Sequence, residues 1–385
     1  MTNQNQLKLS PQAEAIQQKL VQLIQEKIRN SDTKEIGFDD FVNMALYEPQ
    51  LGYYQNNLRT FGEQGDFITA PEMGNLFAHG IAKSIKDALS EAGMSILEIG
   101  AGSGQLATDL LLTFNNENLK YLILEPSATL QSLQNETIKT QADKFYQQVT
   151  WLNNLPENFE GIIIANEVMD AIPCQMIQKQ EDKQDGWHYL NVGLDEGGGF
   201  VWQAGEAVEL SSLPAALQSE DYPADYMTEL RPWLSGWIKG LSKCLKKGAV
   251  LLFDYGYGQS EYYHSQRLKG TLQCFSRHTK NDNPFQLVGL QDITAHVDFT
   301  QVIETAHNEG FDIEGYTTQA GFLIENGILD QQAAVDEKQQ YMMSQQIQKL
   351  TTQGQMGEII KVIGLSKQMT ADLKGFDLQC QLHRL

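Results

Sequence analysis

Three glycines stand at alternate positions, Gly100, Gly102 and Gly104, with Ala101 and Ser103 between them. They follow a short apolar run, Ile96, Leu97 and Ile99, that is interrupted by the acid Glu98. Glycines there allow a tight turn and close approach of backbone to a ligand. A second apolar run, residues 121–124, ends on Glu125. An ionised carboxylate can accept two hydrogen bonds from a vicinal diol, each charge-assisted and worth roughly 1.5–3 kcal/mol. Strand, glycine turn, helix pattern, second strand and terminal acid together form one half of a nucleotide-binding α/β fold. A dinucleotide fingerprint requires G-x-G-x-x-G. The spacing here is G-x-G-x-G, with Gln105 at the position of the third glycine, so an NAD-dependent oxidoreductase is the weakest reading. The bland reading, a glycine loop that binds nothing, loses ground to Glu125.

Further acids follow a later apolar run, residues 162–165, which leads into Asn166, Glu167 and Asp170. In open α/β sheets, ligands lie outside the carboxyl ends of the strands. These three residues should emerge there, and two acids three apart on a turn can point together. Their structural alternative is charge complementing a helix N-terminus. A fifth run, 251–253, delivers Asp254 to the same edge. Beyond it, residues 289–299 carry Asp292, Thr294, His296 and Asp298. Asp298 suits a helix N-cap; for His296 a structural role weighs as much as a functional one. A third group, Gly52, Tyr53 and Tyr54 and then residues 61–72 with Asp66 and Glu72, mixes glycines, aromatics and acids. It reads as a lid over the reactive end of the ligand, or else as an ordinary loop.

The elements that must position these residues alternate between strand and helix patterns. Ser10 and Pro11 open an amphipathic helix over residues 10–30, striped by Ile16, Leu20, Leu23, Ile24 and Ile28. A short helix follows Gly37, with Phe38, Phe41, Val42 and Leu46 turned inward. Residues 72–92 read as helical. Core strands are expected near 95–100, 120–125, 147–151, 161–166, 249–254, 311–318 and 357–365. An insertion over about 175–225 contains a hairpin, 187–192 with 199–202, and a helix is predicted over 226–246. A second insertion spans 255–298. A helix starts near Phe299, and the Gln-rich stretch 331–355 reads as a helical excursion before the last strand.

The chain has 385 residues, room for one large α/β domain with insertions or for two domains. Its formal net charge is −21, without the basic footprint of a nucleic-acid binder. That charge would favour approach of a basic protein segment, or merely maintain solubility. The four cysteines, Cys174, Cys244, Cys274 and Cys380, lie far apart with no metal-ligand spacing, which predicts no metal, no disulfide framework and a reducing cytoplasm. The polar N-terminal residues carry no secretory signal pattern, and no run of 18 apolar residues predicts a membrane span.

Taken in order, GYYQ, FGEQGDFITAPE, LEIGAGSGQLA, LEPSATL, ANEVMDAIP, LLFDYG, GTLQCF and QDITAHVDF resemble the MidA family of class I S-adenosylmethionine-dependent methyltransferases. That family contains the mitochondrial complex I assembly factor that methylates an arginine, and its bacterial relatives. The resemblance covers about residues 38–365. It implies a Rossmann-like seven-stranded sheet with an N-terminal helical cap (1–60) and a methyltransferase domain (61–385). Large insertions after strands four and five would fall at about 175–246 and 255–298. The implied cofactor is S-adenosylmethionine, contacted by Glu98, Gly100, Ala101, Gly102 and Gly104, with Glu125 on the ribose and Asn166 nearby. A protein arginine is the implied acceptor, a respiratory-complex subunit being one candidate and a homodimer one form of the enzyme. The donor methyl and a guanidinium are both cationic, so acids should line the acceptor pocket. Glu167 and Asp170 are the first choices for that clamp, Asp66 and Glu72 the second. One departure is Val168 and Met169, where relatives often carry bulkier or aromatic residues. The competing class is an assembly or binding factor that keeps the fold without robust catalysis.

Overall fold

The computed structural model describes residues 9–58, 69–180, 186–219, 222–276, 279–330, 337–352 and 356–385. In chain order the strands are β1 (Ser95–Ile99), β2 (Lys120–Leu124), β3 (Val149–Leu152), β4 (Phe159–Asn166), β5 (Gln175–Lys179), β6 (Trp187–Leu194), β7 (Phe200–Ala207), β8 (Met227–Leu230) and β9 (Leu245–Tyr257). They continue as β10 (Gln273–Ser276), β11 (Thr279–Asn281), β12 (Asp292–Thr294), β13 (Val297–Asp298), β14 (Asp312–Thr318) and β15 (Ile360–Lys367). The central sheet runs β14-β15-β9-β4-β1-β2-β3, with the two-residue β13 joined to β9. Of its pairings, those of β15 with β9 and β14 are antiparallel and the others parallel. This is the expected α/β class, with seven principal strands.

Both faces of the sheet are covered, which is why its strands read as continuous apolar runs. Ile96, Ile162, Ile164, Leu251 and Phe253 share one core with Phe77, Ile81 and Leu110. The alternate residues Leu97, Ile99, Ile163, Val250 and Leu252 share the opposite core with Leu234, Ile238 and Val302. The chain travels from β1 outward through β2 to β3, then returns to the other side of β1 as β4. That reversal opens a crevice at the carboxyl ends of β1 and β4, the place where such sheets bind ligands.

The insertions form sheets of their own, β7-β6-β5-β8 and β11-β10-β12. The Pro11–Asn30 and Phe38–Tyr47 helices pack on them: Leu20, Ile24 and Phe41 share a third core with Met176, Val192 and Ile293. Ser10 caps the first helix, its hydroxyl accepting from Ala13 N at 3.2 Å. The predicted hairpin is β6 with β7, its turn closed by Asp195 Oδ1, which accepts from Gly197 N and Gly199 N at 2.8 Å each.

Two expectations are corrected. The helix placed over 226–246 is a strand followed by a helix: Met227–Leu230 forms β8, pairing antiparallel with β5, and the helix is Pro232–Cys244. Only the tertiary partner makes 227–230 a strand, while Pro232 fits a first helical turn that needs no donor there. The helical run from residue 72 also starts later. Ala70–Met73 is a single 3₁₀ turn ended by Gly74 at φ +127°, and the helix is Leu76–Glu91. Of the excursion expected over 331–355, Glu337–Thr351 is helical, while 331–336 and 353–355 lie outside the described residues.

Candidate functional site

The glycine turn after β1 holds Gly100, Gly102 and Gly104 at φ +68°, +54° and +84°, a region that side chains with a Cβ rarely adopt. A Cβ on Gly100 would meet Val168 Cγ2 at 3.0 Å, and one on Gly104 would meet Gln134 Cα at 3.0 Å. At Gly100 and Gly104 a side chain would strain the backbone and press on its neighbour, so the turn there is a cradle of main chain. Gln134 stitches it to the end of β2: its amide nitrogen donates to Gly102 O and to Glu125 Oε2, each at 3.1 Å. Its amide oxygen accepts from Trp151 Nε1 at 3.0 Å. Glu125, 4 % exposed, also accepts from Ser127 N at 3.0 Å. On the other side of the turn, the Ser103 hydroxyl donates to Glu72. Glu98 accepts from the Tyr121 hydroxyl at 2.7 Å. Burial raises its pKa to about 7, the Tyr121 hydrogen bond opposes the rise, and the charge of Glu125 adds to it.

The segment after β4 is held by one carboxylate. Asp254 Oδ2 accepts from Val168 N, Met169 N and Asp170 N at 3.1, 2.8 and 3.2 Å, while Oδ1 accepts from Tyr255 N at 2.8 Å. Asp254 is raised to about 7, by burial first and by the charge of Glu167 second. Glu167 itself sits at φ +52°, its N–H donating to Phe253 O at 2.8 Å. Asn166 Nδ2 donates to Glu167 Oε1 at 3.3 Å; Asn166 Oδ1 is buried with no hydrogen-bond partner among the described residues. The Tyr255 hydroxyl is bonded to Glu167, and burial with the surrounding carboxylates drives that phenol far above its ordinary value.

Asp170 is buried and displaced well upward, by burial first, then by Asp254 and Asp292; Arg231 opposes the shift. Arg231 is 2 % exposed and turns its two Nη groups to backbone. Nη1 reaches Ala295 O at 2.7 Å and His296 O at 3.1 Å, and Nη2 reaches Met169 O. Asp292 accepts the Tyr54 hydroxyl on both oxygens, at 3.0 and 2.9 Å. The Tyr54 ring stacks on Tyr47, whose hydroxyl donates to Ala171 O at 2.9 Å.

These pieces line one cavity of about 400 Å³. Glu98, Gly100, Ala101, Gly102, Ser103 and Glu125 stand in its wall, and so do Glu72, Asn166, Glu167 and Asp170. Tyr47, Tyr54, Ala171, Trp237 and Asp292 complete it. Because β1 lies between β2 and β4, Glu125 stands at one end and the post-β4 segment toward the other. Most of the residues singled out from sequence thus converge. Gly104 stands one step behind the wall, as N-cap of the Gln105–Phe114 helix. Asp66, most of the expected lid (residues 61–68), and residues 277–278 fall outside the described residues. His296 stays off the wall, its ring 6.3 Å from that of Tyr255 and 5.1 Å from that of Tyr257, with its pKa lowered to about 4 mainly by burial. Asp298 is the N-cap of the Phe299–Asn308 helix, accepting from Gln301 N at 3.2 Å. Tyr54 and Asp292 lay in segments noted for their composition without a role of their own. Arg231 carried no signal, since an arginine before a proline reads as surface.

An open sheet in this order, with a glycine cradle after β1 and a fixed carboxylate after β2, defines the class I methyltransferase fold. The family model described as "Putative S-adenosyl-L-methionine-dependent methyltransferase" matches residues 76–317, more than half of the chain, and the protein belongs to that family. A Burkholderia thailandensis methyl-transferase candidate, in a crystal structure bound to S-adenosyl-homocysteine, superposes with a TM-score of 0.91 at 35% identity, covering 98% of this chain and 99% of that one. The Caenorhabditis elegans mitochondrial protein arginine methyltransferase NDUFAF7 homolog is 26% identical over 375 residues, 88% of this chain and 84% of its own. Its Xenopus tropicalis counterpart, the mitochondrial protein arginine methyltransferase NDUFAF7, is 27% identical over 331 residues, 77% of this chain and 73% of its own. Among the described residues no helix is long and apolar enough to cross a membrane.

Proposed function

We propose that this methyltransferase acts on a nitrogen of a protein arginine. The observation that carries the reading is a single cavity joining the glycine cradle and Glu125 to a wall containing Glu167, Asp170 and Asp292. The cradle fits the cofactor: its glycines leave backbone facing the cavity, and Glu125 presents a carboxylate already fixed by Ser127 and Gln134. Glu125 would take the ribose diol, Gly100, Ala101 and Gly102 the chain next to it, and Glu72 with Ser103 the edge of the turn. S-adenosylmethionine supplies a methyl group on a cationic sulfonium.

A guanidinium stays protonated in proteins, so acceptor and donor repel unless anions stand between or beside them. Glu167 and Asp170 supply those anions and can orient the planar group through paired hydrogen bonds. The three N–H groups gathered by Asp254 keep the segment rigid, so rate would come from positioning and electrostatics. As Asp170 is displaced upward in the free protein, entry of a cation should drive a proton off the acidic cluster. The proposed setting is the bacterial cytoplasm, which suits the buried free thiols Cys174, Cys244 and Cys274. Glu167→Gln tests the clamp. Cofactor affinity should stay near wild type while radiolabelled methyl transfer to a cell lysate falls. Transfer at the wild-type level removes Glu167 from the clamp.

A further inference from the structure

The end of the cavity away from Glu125 combines aromatic faces with carboxyl oxygens. Tyr54 and Asp292 are 238 positions apart, yet the phenol is held between both oxygens of the carboxylate. Tyr47 lies parallel to Tyr54, ring centroids 5.5 Å apart and planes 14° apart, with its own hydroxyl committed to Ala171 O. Trp237 stands in the same cavity wall. The carboxyl of Asp170 feels the charge of Asp292, and the guanidinium of Arg231 that opposes this at Asp170 gives its Nη donors to three backbone carbonyls. Further along the wall, Asn166 Oδ1 is a buried acceptor with no donor among the described residues. Aromatic rings and carboxyl oxygens at one end of a cavity are the surroundings in which a cation bearing N–H groups is stabilised.

We infer that Tyr54 and Asp292 form the acceptor subsite and decide that it takes a cationic side chain. Asp292 meets the incoming N–H groups, and the Tyr54 hydroxyl fixes the orientation of its carboxylate. The inference rests on the proposed transfer to a protein cation and adds the residues that select it. It also gives the N-terminal helical cap and the second insertion a shared task, since one supplies Tyr47 and Tyr54 and the other Asp292.

The test titrates the full-length protein, loaded with S-adenosyl-homocysteine, with three small probes followed by calorimetry. These are acetyl-arginine methylamide, acetyl-lysine methylamide and the neutral isostere acetyl-citrulline methylamide. Wild type should prefer the arginine probe to the citrulline probe by about tenfold or more, as expected for a charge-assisted pair. Asp292→Asn should erase that preference, and the milder Tyr54→Phe should reduce it, with S-adenosyl-homocysteine affinity held within about twofold. A lysine probe that shows this dependence while the arginine probe does not bind would uphold the subsite and refute arginine as acceptor. The inference is overturned by variants that keep the wild-type preference or lose S-adenosyl-homocysteine affinity in parallel. It is equally overturned if citrulline binds as well as the charged probes, or if no charged probe binds.

Discussion

The cavity has two ends made of different material. At the cofactor end the wall is largely main chain: a turn of three left-handed glycines, with the carboxylate of Glu125 tied by Ser127 and Gln134. At the acceptor end the wall is side chain, with Glu167, Asp170 and Asp292 beside Tyr47, Tyr54 and Trp237. The first end is rigid and its hydrogen bonds are already made. The second gathers carboxyls around one buried guanidinium, and burial holds Asp170 and Asp254 above the ordinary carboxylate range. On the proposed function, a ligand common to every turnover is met by backbone, and a cationic partner by carboxyl side chains.

The largest effect should come from breaking the acceptor end at its counter-charge. Arg231→Ala leaves Asp170 and Asp254 buried without this cation, and the carbonyls of Met169, Ala295 and His296 without its donors. Loss of one partner from a buried ionic group costs about 3–5 kcal/mol. Urea denaturation should show a loss of that size. A change below about 1 kcal/mol would mean that the cluster is not held by Arg231.

The cofactor end should break more selectively. Glu125→Ala removes the proposed diol acceptor while Ser127 N and Gln134 Nε2 can turn to water. Two charge-assisted bonds at roughly 1.5–3 kcal/mol each, less what water returns, predict a loss of about 100-fold in S-adenosyl-homocysteine affinity. Stability should change little by comparison. Calorimetric titration checks it, and an affinity within threefold of wild type would take the ribose away from Glu125.

Glu98→Gln sharpens the comparison through pH. The wild-type carboxyl is raised from 4.5 to about 7 in the folded protein, chiefly by burial. The folded state thus binds the proton more tightly than the unfolded state, so this stabilisation is complete below about pH 4.5 and fades as pH rises through 7. Its full size is roughly 3 kcal/mol at most. Glutamine cannot ionise and can still accept from Tyr121. The variant should therefore gain stability over wild type as pH rises from 5 to 8, read as a widening gap in denaturation midpoint. A gap that stays constant with pH would contradict the shift.

The same contrast explains what could be read before folding. The cofactor end was legible because its parts lie within one short stretch, from Ile96 through Glu125, and each residue type there has a local reason. The central sheet was legible too, since β1, β4 and β9 are buried on both faces and show as apolar runs. The acceptor end was not. Tyr54, Asp170, Arg231 and Asp292 meet only through contacts between distant segments, and no spacing rule links them. The error at 226–246 has the same origin. Met227–Leu230 is a strand because β5 lies beside it, a partner invisible to local periodicity.

The smallest expected effect concerns the hinge between the two ends. Glu167 occupies the left-handed region at φ +52°, where a residue other than glycine, asparagine or aspartate carries strain of order 1 kcal/mol or more. Its charge also raises Asp254. Both costs are borne where the chain turns from β4 into the cavity, which fits a residue kept for reaction rather than for folding. Glu167→Asn should relieve them, because asparagine tolerates this backbone and is neutral; loss of the bond from Tyr255 works the other way. The net expectation is a stability gain of about 0.5–1 kcal/mol in chemical denaturation, accompanied by loss of methyl transfer at unchanged cofactor affinity. A variant that is less stable than wild type and still transfers methyl groups would show that Glu167 holds the turn and does no more.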